Sequence, residues 1–149
     1  MNDQKRLRMG EKYPTAYSAL THLDGIVAGA GLDNWYKEMI RIKASLINGC
    51  AYCVDMHSQD AIKLGIHPRK IALVSVWREA KNHFTEEEQL ILQLTEELTL
   101  VHQHGIPDET YHKAITLFGE EGTAQIIMSV IVINAWNRLG VGLHLQPEF

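Results

Sequence analysis

Apolar residues recur at helical spacing along nearly the whole chain, and the few glycines and prolines fall between the runs. That pattern constrains the fold more than any other feature of the sequence. Pro14 suits the first turn of a helix, and Tyr17, Leu20, Leu23 and Val27 follow on one face until Gly29 and Gly31. Asp33 is the expected N-cap of a second helix carrying Trp35, Met39, Ile42, Leu46 and Ile47. Asn48-Gly49 predicts its stop, with Gly49 free to adopt the left-handed conformation. A third helix is predicted from near Cys50 to about Leu64, ended by Gly65. Pro68 opens a short fourth through Ile71, Val74 and Trp77. Thr85 and Glu88 have capping-box spacing ahead of Leu90, Leu94, Leu98 and Val101. Gly105-Ile106-Pro107-Asp108 predicts a break, and Tyr111, Ile115 and Phe118 a sixth helix. Gly122 then precedes a last helix from Ala124 to about Leu139. Ile126–Ile133 is rich in β-branched residues, but it lies within a segment of helical length. The expected fold is all-α, a single-domain helical bundle over residues 1–149, with no repeat or linker.

A chain of 149 residues can bury roughly 68–70% of its unfolded surface, enough for a real core. The net charge is −4, and no basic run is present, so neither nucleic acid nor an anionic membrane is an expected partner. The first ten residues are polar and read as lacking a secretory leader. Ile126–Ile133, followed by Asn134, Asn137 and Arg138, is too short for the ~20 apolar residues that span a bilayer. The expectation is a cytoplasmic protein. The segment 122–140 is apolar nearly all round, so part of it is expected at a subunit interface.

Chemistry concentrates between Glu38 and His57. The two cysteines, Cys50 and Cys53, are too few for a disulfide-stapled scaffold and point to redox or metal chemistry. On a helix starting near Cys50, residues Cys50, Cys53 and His57 share one face. The helix N-terminus stabilises a thiolate there, and an imidazole one turn along can take the thiol proton. A thiolate that attacked a peroxide would become a sulfenic acid, which the neighbouring thiol could condense with to form a disulfide. Helical i, i+3 Cβ atoms sit about 5–6 Å apart, whereas a disulfide wants about 3.5–4.5 Å. A bridge is therefore expected to need local adjustment and to be easily reduced. The Asn48-Gly49 turn can fold the preceding helix back, bringing Glu38 toward the cysteine face to orient His57 or relay its proton.

The arrangement Glu38…Cys50-Ala51-Tyr52-Cys53…His57 resembles the alkylhydroperoxidase-D-like branch of the carboxymuconolactone decarboxylase family. Trp77-Arg78-Glu79-Ala80, Phe84-Thr85 and Asn134-Ala135-Trp136-Asn137-Arg138-Leu139 are similar to that family's middle and C-terminal sections. The resemblance covers roughly residues 8–145. It implies an all-helical, obligately oligomeric protein, a trimer or hexamer. It implies a Glu38–His57 proton relay to a Cys50–Cys53 redox pair that reduces hydroperoxides and is re-reduced by a dithiol, lipoyl or thioredoxin-like. It implies no metal, flavin or haem. His57, one turn from Cys53, favours Cys53 as the attacking thiol with Cys50 resolving; the place of Cys50 nearer the helix N-terminus favours the reverse order.

Two other readings stand beside this one. The family's decarboxylase members do not depend on the cysteine pair, so a non-redox lyase is one alternative. A zinc-binding or thiol-sensing module is the other, with Cys50, Cys53 and His57 as three of four ligands. Trp77, Trp136 and Tyr52 read as core or interface, Asn134 and Asn137 as buried polar groups in need of partners, and Glu86-Glu87-Glu88 as charge bias at a helix start.

Overall fold

The computed structural model describes residues 6–149. Among them the helices follow in order as α1 (Met9–Lys12), α2 (Pro14–Ala28), α3 (Asn34–Asn48), α4 (Ala51–Lys63), α5 (Pro68–Leu73), α6 (Glu86–Thr99), α7 (Val101–His104) and α8 (Asp108–Gly142). No described residue is in a strand, and the expected all-α class holds.

The helix ends form where capping chemistry calls for them. Asp33 accepts the Trp35 backbone N–H at 2.8 Å, which satisfies one of the free donors of the first turn. Thr85 and Glu88 make a reciprocal capping box, each side chain accepting the other's backbone N–H at 3.2 and 2.8 Å. Gly49 closes α3 in the left-handed region, at φ 70°.

Three boundaries differ from the sequence reading. The short helix opened by Pro68 ends at Leu73 rather than running through Trp77, and Val74–Val76 form a separate 3-10 turn. The last helical segment breaks at Gly119 rather than at Gly122. Gly119 has φ 70° and ψ 178°, a conformation essentially restricted to glycine. Gly122 is helical, and a Cβ there would come within 2.9 Å of Phe118 Cβ. The α6 run stops at Thr99 because Leu100 leaves the helical region, with ψ at 40°. Val101 consequently lies exposed at the start of α7 instead of continuing the apolar face.

The core is built around α3, which packs against α4, α6 and α8. Met39, Ile40 and Ile42 are buried against Ile91, Leu92 and Leu94 of α6 and Ile126, Val130 and Ile133 of α8. Full burial of such side chains contributes about 1.5–3 kcal/mol each. Polar ties fix the orientation of α3 on α6. The Trp35 indole donates to Glu88 Oε1 at 2.7 Å, and Lys70 Nζ donates to the same oxygen at 2.7 Å. Glu88 is therefore a buried junction as well as part of a charged helix start. Lys43, buried on α3, pairs with Glu96 at 3.0 Å, and the Trp77 indole donates to Glu96 at 2.9 Å. Burial alone would raise the Glu96 carboxyl. The hydrogen bonds from Trp77 and Lys43 and the charges of Lys43 and Arg78 outweigh it and hold the group below the ordinary carboxylate range.

Two helices carry apolar surface that no described residue covers. Among the described residues, α8 is the one helix long and apolar enough to cross a membrane by length and composition. In this fold its inner stripe packs on α3 and α6, while Met128, Ile131 and Val141 remain exposed. α2 buries only Val27 and leaves Tyr17 and Ile26 exposed.

Candidate active site

Cys50 is the N-cap of α4, with extended backbone at φ −85° and ψ 93°, and Cys53 sits in the first turn. The two are joined by a disulfide with Cα atoms 5.3 Å apart, inside the range that such bonds need. The helix starts at Ala51, next to Cys50 as the sequence reading expects, and the extended backbone of Cys50 is the local adjustment that the bridge uses. Because Cys50 lies outside the helix, its side chain can turn back onto Cys53 without distorting α4. Cys50 Sγ also accepts the Cys53 backbone N–H at 3.4 Å, so this sulfur occupies the place of a capping oxygen at a helix N-terminus.

His57 follows one turn after Cys53, and both side chains face inward on α4. The Gly49 turn folds α3 back alongside α4, and Glu38 reaches His57 across the gap: Oε2 lies 2.9 Å from His57 Nδ1. Towards an ionised carboxylate His57 Nδ1 is the donor, and in the neutral ring Nε2 is then the acceptor. Glu38 is 6% exposed, His57 8%, Cys50 2% and Cys53 3%, so bulk water screens these groups little. All four residues singled out from the sequence are thus brought together around the first two turns of α4.

Three neighbours shape the pair. An open groove of about 530 Å³ runs between the end of α3 and α4, lined by Leu46, Gly49, Cys50, Ala51, Val54 and Asp55 among others. On another side α8 closes over the sulfurs at Gly140, where a Cβ would lie 2.6 Å from Cys50 Sγ and 3.4 Å from Cys53 Sγ. A hydrogen-bond network then pins the turn before Cys50 to α8. Asn48 Nδ2 donates to Asn134 and Asn137 at 2.9 Å each, Asn137 donates to Ser45 Oγ at 2.9 Å, and Asn134 donates to Thr99 at 3.1 Å. The two asparagines on the apolar helix find their partners here. A second cavity of about 310 Å³, lined by His67, Arg69, Lys70, Leu73 and His83, contains none of these groups.

Glu38, His57 and Asp60 offer ligand atoms within 4.8 Å of one another. Both carboxylates already hold cationic side chains, Arg41 on Glu38 at 2.6 Å and Lys63 on Asp60 at 2.8 Å. A metal ion there would have to displace both.

Sequence reasoning missed Ser45, Asn48 and Gly140. The available signal for Gly140 was a glycine inside an apolar helix, which costs about 0.8–1 kcal/mol relative to alanine and asks for a packing reason. Nothing in local spacing marks Ser45 or Asn48.

The site is a buried carboxylate–imidazole pair on the same helical face as a bonded cysteine pair, carried by an all-α scaffold. The chain belongs to the carboxymuconolactone decarboxylase family, whose model matches residues 14–97. It is 30% identical over 139 residues to YdfG, an uncharacterized protein of Bacillus subtilis (strain 168), with 93% of this chain and 94% of that protein covered. Its fold matches a crystal structure from Agrobacterium tumefaciens of a protein of unknown function, named as a candidate AhpD antioxidant defence protein. That match has a TM-score of 0.93 and 33% identity, over 98% of this chain and 99% of the other. An uncharacterized peroxidase-related protein from Silicibacter sp. TM1040 shares the fold, with a TM-score of 0.79 and 19% identity over 94% and 81% of the two chains.

Proposed function

We propose that this protein is a thiol-dependent hydroperoxide reductase. The observation that carries the reading is the buried Glu38–His57 hydrogen bond set one helical turn from a bonded Cys50–Cys53 pair. In the reduced protein, His57 Nε2 takes the Cys53 thiol proton. The thiolate attacks the terminal peroxide oxygen, the O–O bond breaks, and the departing alkoxide takes the proton from His57 to leave as an alcohol. Cys53 is now a sulfenic acid. Cys50 attacks its sulfur, releasing water and forming the disulfide. A dithiol donor, lipoyl or thioredoxin-like, returns two electrons and two protons by thiol–disulfide exchange. The groove beside Cys50 supports approach by such a donor. The exposed apolar residues of α2 and α8 support self-association, as a trimer or hexamer. A cytoplasmic location fits the need for a reducing dithiol pool.

The test is a free-thiol count on reduced protein before and after one equivalent of an organic hydroperoxide. Wild type should lose both thiols within seconds and regain them with a dithiol. Cys50→Ser should stop at a trappable sulfenic acid, and Cys53→Ser should not react. If the order is reversed, the two variants exchange behaviours. Two thiols persisting for minutes in the wild type would sink the peroxidase reading and favour a non-redox lyase.

A further inference from the structure

Glu38 divides its carboxylate between two partners. Oε2 meets His57 at 2.9 Å, and Oε1 meets Arg41 Nη1 at 2.6 Å. Arg41 is one turn further along α3, and its other terminal nitrogen lies 3.8 Å from Asp24 Oδ1 on α2. The result is a line of alternating groups, Asp24–Arg41–Glu38–His57, running from the outer helix to the cysteine face. Arg41 is only 17% exposed at its side chain, so the interaction is shielded from solvent far more than a surface pair.

We propose that Arg41 is a positioning residue of this site: its guanidinium fixes the Glu38 carboxylate so that a single oxygen faces His57 Nδ1, and it keeps the full negative charge from acting on the ring. This rests on the relay reading of Glu38 and His57. The physical need is clear. The ring must be neutral to accept a thiol proton, and a carboxylate with no other partner holds an imidazolium strongly. A competing cation on the far oxygen weakens that hold. The planar guanidinium also sets the carboxylate's plane, which a lysine ammonium cannot do.

The other charges around the site leave this role to Arg41. Lys37, on α3, directs its Nζ at the carbonyls of Ala28 and Ala30, 2.7 Å from each. Burial and, after it, the charge of Arg41 lower the Lys37 ammonium below its ordinary range. On α4, the half-exposed Asp60 carboxylate lies within 4.8 Å of both Glu38 and His57 and adds its own negative charge to the ring's surroundings. Its pair with Lys63 at 2.8 Å is solvent-exposed, and it makes no contact with the Glu38 oxygen that Arg41 holds. No side chain of α8 hydrogen-bonds to Asp24, Arg41, Glu38 or His57 among the described residues.

The experiment is an NMR titration of the His57 ring in the disulfide form, where no thiol titrates alongside it, paired with peroxide turnover of the reduced protein. Arg41→Gln should raise the His57 midpoint by ~0.5–1 pH unit, since an opposing charge one group removed acts less strongly than a direct partner. Arg41→Lys keeps the charge and should leave the midpoint within ~0.2 unit while slowing turnover about tenfold through lost carboxylate alignment. Asp24→Asn, on the outer helix, should shift the midpoint slightly downward by freeing Arg41 for Glu38, and it tests the same line if Arg41→Gln does not fold. An unmoved midpoint in Arg41→Gln, an upward or absent shift in Asp24→Asn, or wild-type turnover in Arg41→Lys would each overturn the proposal. A midpoint that moves as expected in a protein whose thiols ignore peroxide would retain the charge-dividing role of Arg41 and refute the peroxidase reading instead.

Discussion

Replacing Gly140 by alanine pits two effects of opposite sign against each other, and the structure says which wins. Gly140 is buried inside α8, and a helical glycine-to-alanine change there gains about 0.8–1 kcal/mol from propensity alone. Against this, the new methyl would lie 2.6 Å from Cys50 Sγ and 3.4 Å from Cys53 Sγ. Non-bonded heavy atoms prefer about 3.5–4.0 Å, so the overlap with Cys50 is about 1 Å. Neither side can yield freely: the disulfide joins both sulfurs, and Asn134 and Asn137 tie α8 to the end of α3. Overpacking of this kind costs about 1–3 kcal/mol. Set against the propensity gain, this leaves the oxidised variant less stable by up to ~2 kcal/mol, a fall in Tm of up to ~8 °C for a chain of this size. Reduction frees the Cys50 side chain to rotate, so the loss should shrink in the dithiol form, and the variant's disulfide should open at a lower dithiol-to-disulfide ratio. Thermal melts of both redox forms, with a dithiol titration, measure this. The matched control is Gly25→Ala in α2, where the added Cβ meets nothing within 4 Å; it should gain up to ~1 kcal/mol. An oxidised Gly140→Ala protein at least as stable as wild type would refute the packing argument.

Two further outcomes test the scaffold. Glu96→Gln should cost about 1.5–3 kcal/mol near neutral pH by weakening the charged hydrogen bonds from Lys43 and Trp77. Because the folded-state carboxyl lies below its ordinary range, its contribution is present above the unfolded pKa and lost as pH falls through the folded one. The gap between wild type and variant should therefore close on acidification, read by melts across pH; a constant gap would count against the charge argument. Gly119→Ala forces a Cβ into a backbone region at φ 70° and ψ 178°, and should lower stability by about 1–3 kcal/mol in chemical denaturation, whereas an unchanged midpoint would mean that α8 can straighten there.

What was legible in the sequence follows from interactions that are local along the chain. Pro14, Asp33, Gly49 and the Thr85–Glu88 box mark helix ends because each acts on backbone groups within four residues. The Glu38, Cys50, Cys53 and His57 set was legible for a related reason. A tight turn at Asn48-Gly49 and the period of one helix suffice to bring three of these residues to one face and to direct the fourth back toward it. The break at Gly119 was misplaced to Gly122 because both glycines are compatible with a helix boundary and only the packed backbone selects one. A helix start near Cys50 is legible, but only the packed backbone sets Cys50 as the cap rather than the first helical residue, a one-residue difference that bears on how the two sulfurs meet. The sequence by itself therefore determined the all-α class, the approximate helices and the four chemical groups. Tertiary structure alone decided that Gly140 of α8 lies against the sulfurs, that Asn137 and Asn134 secure the turn before Cys50, and that Asp24 stands behind Arg41. Those partners are separated by 17 to about 90 residues along the chain, and contacts at such separations arise from how whole helices pack, which no local period encodes.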